Sequence, residues 1–157
     1  MNTMVSPDVL EQLHEQRAQI DDLFDSFDTV CEDASAPPAE AGRLASLIHT
    51  LLRVHAALEH EVLVSAIRWA GGHPLLHIAT LRRKATLAEV DRIEALPADG
   101  PDLRQAMQTL RDVARAWFDY EEGPLFLLAR RFDLDLGKLG GRLARRQERL
   151  LTVGPLY

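Results

Sequence analysis

RVHAALEHEVLVSAIRWAGG, residues 53–72, decides the fold. Its apolar residues recur every three or four positions, the period of a helix with one buried face. The same stretch carries His55, Glu59, His60 and Glu61. Charged and imidazole side chains are costly to bury unless something pairs with them. Successive helix residues turn by about 100°, so each side chain can be assigned to a face. The apolar stripe runs through Leu44, Leu47, Ile48, Leu51, Leu52, Leu58, Val62 and Ala66. His55 and Glu59 fall inside that stripe, one turn apart. His49 and His60 fall roughly 130 to 150° away from it. An imidazole and a carboxylate are therefore expected to point into the core.

The rest of the chain also reads as helix. Apolar and polar residues rarely alternate, and no Asn-Gly or Asp-Gly hairpin turn separates apolar runs. A first helix spans about 7–30, with Ser6 as N-cap and Pro7 at the first helical position. After the loop CEDASAPPAEAG, a second spans about 39–70 and ends at Gly71-Gly72. A third runs from near Pro74 to about Leu96. A fourth runs from near Asp102 to Arg131, with a kink expected at Gly123-Pro124. LGKLGGRLARRQERLLTV forms a shorter basic helix. Four long helices with short connections predict an all-α, up-down-up-down four-helix bundle with the fifth helix outside it. This is read as one domain over residues 1–157, with the bundle at about 7–132 and the extra helix at about 136–153. Another all-α arrangement is the alternative that pattern alone leaves open.

Composition narrows the class. The 157 residues suffice for one domain with a real core. A formal net charge of -6 argues against a nucleic-acid surface. One cysteine, Cys31, rules out an internal disulfide framework or a cysteine zinc site. No stretch approaches the roughly 18 apolar residues of a membrane span. The first residues lack the basic and apolar pattern of a signal peptide. The expectation is a soluble cytoplasmic protein with no nucleic-acid or membrane partner.

The same angular reading sorts the other helices. On the fourth, Leu103, Met107, Leu110, Ala114, Trp117, Leu125 and Leu128 form the stripe. Glu121 lies near its centre, and Glu122 is turned about 100° away. On the first, Leu13, Ile20, Leu23, Phe24 and Phe27 form the stripe, with Gln16 inside it and His14 outside. The third helix is less clean. His77 lies near Leu76, Thr80 and Leu81, and His73 stands one turn earlier. The inward set is then Gln16, His55, Glu59, His77 and Glu121, with His73 as a further candidate. Two unpaired buried carboxylates repel each other. No inward arginine is evident from the pattern, and Lys84 is the nearest counter-charge. A metal ion would offset the repulsion, and facing helices of bundles build such sites. Imidazole and carboxylate ligands suit iron, manganese or zinc.

HAALEHEVL, His77 on the next helix and YEEGPLFLLARR on the fourth resemble the hemerythrin-like HHE cation-binding domains. The resemblance covers about residues 8–132. It implies a four-helix bundle around a non-haem iron centre, with His55, Glu59, His77 and Glu121 as ligands and His73 as a possible fifth. It also marks two departures. Gln16 and Trp117 stand where the family commonly places histidines. The remaining ligands suit one iron, a di-iron pair completed by Gln16, Tyr120 or water, or a site that has lost its metal.

Three classes of function follow from the resemblance. One is an iron-binding module for oxygen, nitric oxide or peroxide. Another is an enzyme consuming peroxide or nitric oxide. The third is a metal-free interaction module, with GGRLARRQERLL either a partner-binding element or a solvated capping helix. No nucleophile arrangement is present around Cys31. GGH at 71–73 is no phosphate loop, since no Lys-Ser/Thr follows it.

Overall fold

The computed structural model describes residues 7–97 and 100–153. Among them there is no strand. Helix α1 spans Val9–Glu32. Its cap is Asp8, whose carboxylate accepts the Glu11 N–H at 2.9 Å. The expected cap, Ser6, lies outside the described residues. Helix α2, Pro38–Leu58, passes without a break through a π segment, Glu59–Val64, into α3, Ser65–Ala70. Gly71 (φ 148°) and Gly72 (φ 69°) end that rod in conformations closed to most side chains. Helix α4 spans Leu75–Glu94. Helix α5, Leu103–Tyr120, continues through a second π segment, Glu121–Leu125, into α6, Phe126–Arg131. Helix α7 spans Leu136–Val153.

Each long rod packs on its chain neighbour, α1 on α2 and α4 on α5, and α1 meets α5 while α2 meets α4. That closes the four-helix bundle. Helix α7 lies outside, over α1, α2 and the first π segment, where it buries Leu139, Leu143 and Leu150. The core has two apolar halves. Ile20, Phe24, Phe27, Leu52, Leu110, Trp117 and Phe118 belong to one. Leu13, Leu58, Val62, Ile67 and Leu125 belong to the other. Along α2 and α5 the buried polar residues His55, Glu59 and Glu121 fall where one half gives way to the other.

Pro124 does not break its helix. Proline cannot donate a backbone hydrogen bond, and the wider π turn absorbs that loss: the Phe126 N–H reaches the Glu121 carbonyl, five residues back. The first π segment contains no proline, and its Ser65 N–H reaches the His60 carbonyl in the same way.

Helices α1 and α7 meet at Gly140. A Cβ there would stand 2.4 Å from the Pro7 carbonyl oxygen and 3.0 Å from Asp8 backbone atoms. The Gln12 amide ties the junction, donating to the Pro7 carbonyl at 2.7 Å and the Gly140 carbonyl at 2.8 Å. Because both obstacles are backbone, Gly140→Ala should push α7 away from α1 and cost about 1–3 kcal/mol in urea unfolding. A variant as stable as the wild type would show that the junction is loose.

Candidate metal centre

Both inward carboxylates occupy the first position of a π segment. One extra residue in the turn redirects the side chains that follow, and such segments recur at functional sites. Glu59 and Glu121 are fully buried, and so is His55 one turn before Glu59. One ligand atom from each of the three lies within 4.8 Å of the others. Among the described residues this is the group of histidine and acidic side chains arranged to hold a metal ion.

Each member is held by named partners. His55 Nδ1 lies 2.8 Å from Gln16 Oε1. A carbonyl oxygen only accepts, so Nδ1 carries the proton and donates it. His55 Nε2 lies 2.9 Å from both carboxyl oxygens of Glu121. Burial holds the imidazole neutral by lowering its pKa to about 4. Nε2 is then a bare lone pair, and Glu121 must supply the proton between them. Burial raises the Glu121 pKa to about 7, consistent with that assignment. Burial, and then the charge of Glu121, raise Glu59 well above the ordinary carboxylate value.

Glu59 has a different environment. Trp117 Nε1 donates to its Oε2 at 2.7 Å. Arg83 Nη1 faces its Oε1 at 3.6 Å, and neither of those two atoms has a hydrogen-bond partner. The aromatic rings of Trp117 and Phe118 stand edge-on to His55, with centroids 5.3 and 5.0 Å away. Outside this layer, Glu122 accepts from Arg17 at 3.1 Å and pairs with His14 at 2.6 Å. Glu122 and exposed His60 therefore lie on the outer faces that the helical period assigns them.

The third helix differs from expectation. Its inward face is Leu76, Ala79, Arg83, Thr86, Val90 and Ile93. His77 and His73 are exposed and stand apart from the buried trio. His73 Nδ1 instead accepts the Leu75 N–H at 3.1 Å, beside the start of α4. Leu81, grouped with His77 in the sequence, is 52% exposed. Lys84 is exposed, and Arg83 supplies the inward positive charge. The signal was present in the spacing Leu76, Ala79, Arg83, Thr86, Val90, masked by the basic run Arg82-Arg83-Lys84. Tyr120 donates its hydroxyl to the Leu75 carbonyl at 3.1 Å rather than to the trio. His49, expected outside, is buried, and that burial lowers its pKa.

The residues present fit one cation. His55 Nε2, Glu121 and the unbonded Glu59 Oε1 form a mixed nitrogen and oxygen donor set. His55 donates its other nitrogen to Gln16, the kind of outer bond that orients a ligating imidazole. Among the described residues a second cation finds no comparable set, and Gln16, Trp117 and Arg83 stand around the trio.

No protein-family model and no curated protein matches this sequence. The fold is similar to the crystal structure of a hemerythrin HHE cation binding domain-containing protein from Mycobacterium kansasii. The TM-score is 0.75 at 20% identity, over 91% of this chain and 86% of that one. With its rods joined in the same compact bundle, and an additional helix at the C-terminal end, the chain has the hemerythrin-like HHE fold.

Proposed function

We propose that this chain is a cation-binding bundle holding one divalent transition-metal ion through His55 Nε2, Glu59 and Glu121. The observation that carries the reading is the convergence of three fully buried ligand atoms, with the imidazole already turned by Gln16. Iron leads the candidates, with manganese and zinc admitted by the same donors. A bound iron would supply a redox-active centre with open coordination positions, suited to oxygen, nitric oxide or peroxide. The protein's part is positioning and exclusion. Trp117 holds Glu59, Gln16 orients His55, and the rings of Trp117 and Phe118 keep water from the imidazole.

The test is metal titration of chelator-treated protein, read as ions per chain and affinity. About one ion per chain is expected, the count that three protein ligands support. His55→Gln and Glu121→Gln should each weaken binding at least about tenfold, since each removes a ligand. Glu122→Gln, His60→Ala, His73→Ala and His77→Ala should leave it unchanged. Metal must displace the protons that burial favours on Glu59 and Glu121, so affinity should rise with pH through about 7. Absence of binding at pH 8, or dependence on Glu122 in place of Glu121, would sink the proposal. A second reading, a metal-free bundle, is favoured by one observation: Trp117 and Arg83 already face Glu59. Absence of binding would leave that reading standing.

A further inference from the structure

We propose that Arg83 is a built-in counter-cation that competes with a metal ion for Glu59 and so lowers the affinity of the core site. The inference rests on the cation-binding reading given above. Arg83 sits on the inward stripe of α4 and is 7% exposed. A guanidinium stays charged in proteins, and burying one is costly without a partner. Its facing partner is Glu59. Yet the pair is not closed: Nη1 and Oε1 stand 3.6 Å apart, and both lack a hydrogen bond. The contact supplies charge compensation without the directional bonds that would fix Glu59 permanently.

Arg83 brings one full positive charge to a buried layer that holds two carboxyl groups and one imidazole. A divalent ion entering between His55 and the two carboxylates must take Glu59 from Arg83 and sit beside its positive charge. Coulomb repulsion at such range in a poorly solvated core is a strong opposing effect. Arg68 adds positive charge near Arg83, whose pKa is lowered first by burial and then also by Arg68. Among the described residues, Arg83 is the buried cation that faces Glu59, so without it an incoming metal would be the positive partner of that carboxylate.

The prediction runs opposite to that for a purely structural residue, whose loss would weaken the site. Arg83→Met and Arg83→Gln, stripped of metal, should be less stable than the wild type. They should bind Zn2+ at least about tenfold more tightly in competition with a chromophoric chelator, a change of about 1.4 kcal/mol. Zn2+ should raise their melting temperature more than it raises that of the wild type. Arg83→Lys keeps the charge and should bind Zn2+ like the wild type. If a variant folds only when Zn2+ is present, as read by far-UV circular dichroism, the proposal is supported. Variants that fold and bind no more tightly than the wild type overturn it, while wild-type binding keeps the cation-binding reading intact. Binding by Arg83→Met alone, with a silent wild type, supports the counter-cation and rejects metal binding by the natural chain. Silence from every protein rejects both.

Discussion

Trp117→Ala should destabilise the protein by about 5 kcal/mol or more, enough to unfold an ordinary small domain. Two losses combine. Trp117 is fully buried, and its ring stacks on Phe118 with centroids 4.9 Å apart. Emptying that volume costs about 3–5 kcal/mol where the surroundings cannot collapse. The indole also donates the 2.7 Å hydrogen bond to Glu59 Oε2. Removing it leaves a buried carboxylate oxygen unsatisfied, worth a further 1–3 kcal/mol or so. Trp117→Phe separates the two, because it keeps most of the volume and loses only the donor. It should cost about 2 kcal/mol, nearer the hydrogen-bond contribution than the cavity contribution. Urea unfolding of both variants is the measurement. A Trp117→Ala variant within about 2 kcal/mol of the wild type would show that the bundle repacks around the gap.

Trp117 also illustrates what was legible in the sequence. Counting 100° steps placed it inward, separated Glu121 from Glu122, and put His55 and Glu59 on one face with His60 on another. Each of those placements agrees with the burial pattern. Both carboxylates begin their π segments, so the angles counted toward them from the N-terminal side cross only regular α-helix. At Gly123-Pro124, where the sequence predicts a kink, the helix widens into a π turn and continues. Helix α4 hides its inward stripe because that stripe contains a charge. An arginine flanked by Arg82 and Lys84 reads as surface, and only tertiary context, the facing Glu59, explains its burial. Once Arg83 is placed inward, His77 must turn outward. His49 shows a similar limit: the apolar stripe fixes where a helix is most buried, not how far its neighbours wrap around it. Likewise Leu47, counted in the stripe, is 38% exposed.

The metal-free protein should lose stability as pH rises from about 5 to 8, the reverse of a fold held by ionised carboxylates. Burial lowers the pKa of His55 from 6.5 to about 4. Its contribution is fully present above 6.5 and is lost as pH falls toward 4. Burial raises Glu121 from 4.5 to about 7. Its contribution is present below 4.5 and is lost as pH rises through 7. Each shift corresponds to about 3 kcal/mol, so between 4.5 and 6.5 the two nearly offset. Glu59, raised by burial and then by the charge of Glu121, has the same sign as Glu121, and the imidazoles of His49 and His60, lowered by burial, oppose it only below about 6.5. Above 6.5 only the two carboxyls still titrate, and the net effect is destabilising. The measurement is the urea midpoint of chelator-treated protein at pH 5 and pH 8, with a fall of a few kcal/mol expected. The Glu59→Gln/Glu121→Gln double variant removes both carboxyls and leaves the lowered imidazoles, His55 foremost. Its stability should therefore rise between pH 4 and 6.5, by about 3 kcal/mol. A wild type that becomes steadily more stable from pH 5 to 8 without metal would mean that both carboxyls are ionised in the folded core. Arg83 alone would then be compensating two charges, and the proton assigned to Glu121 would be absent.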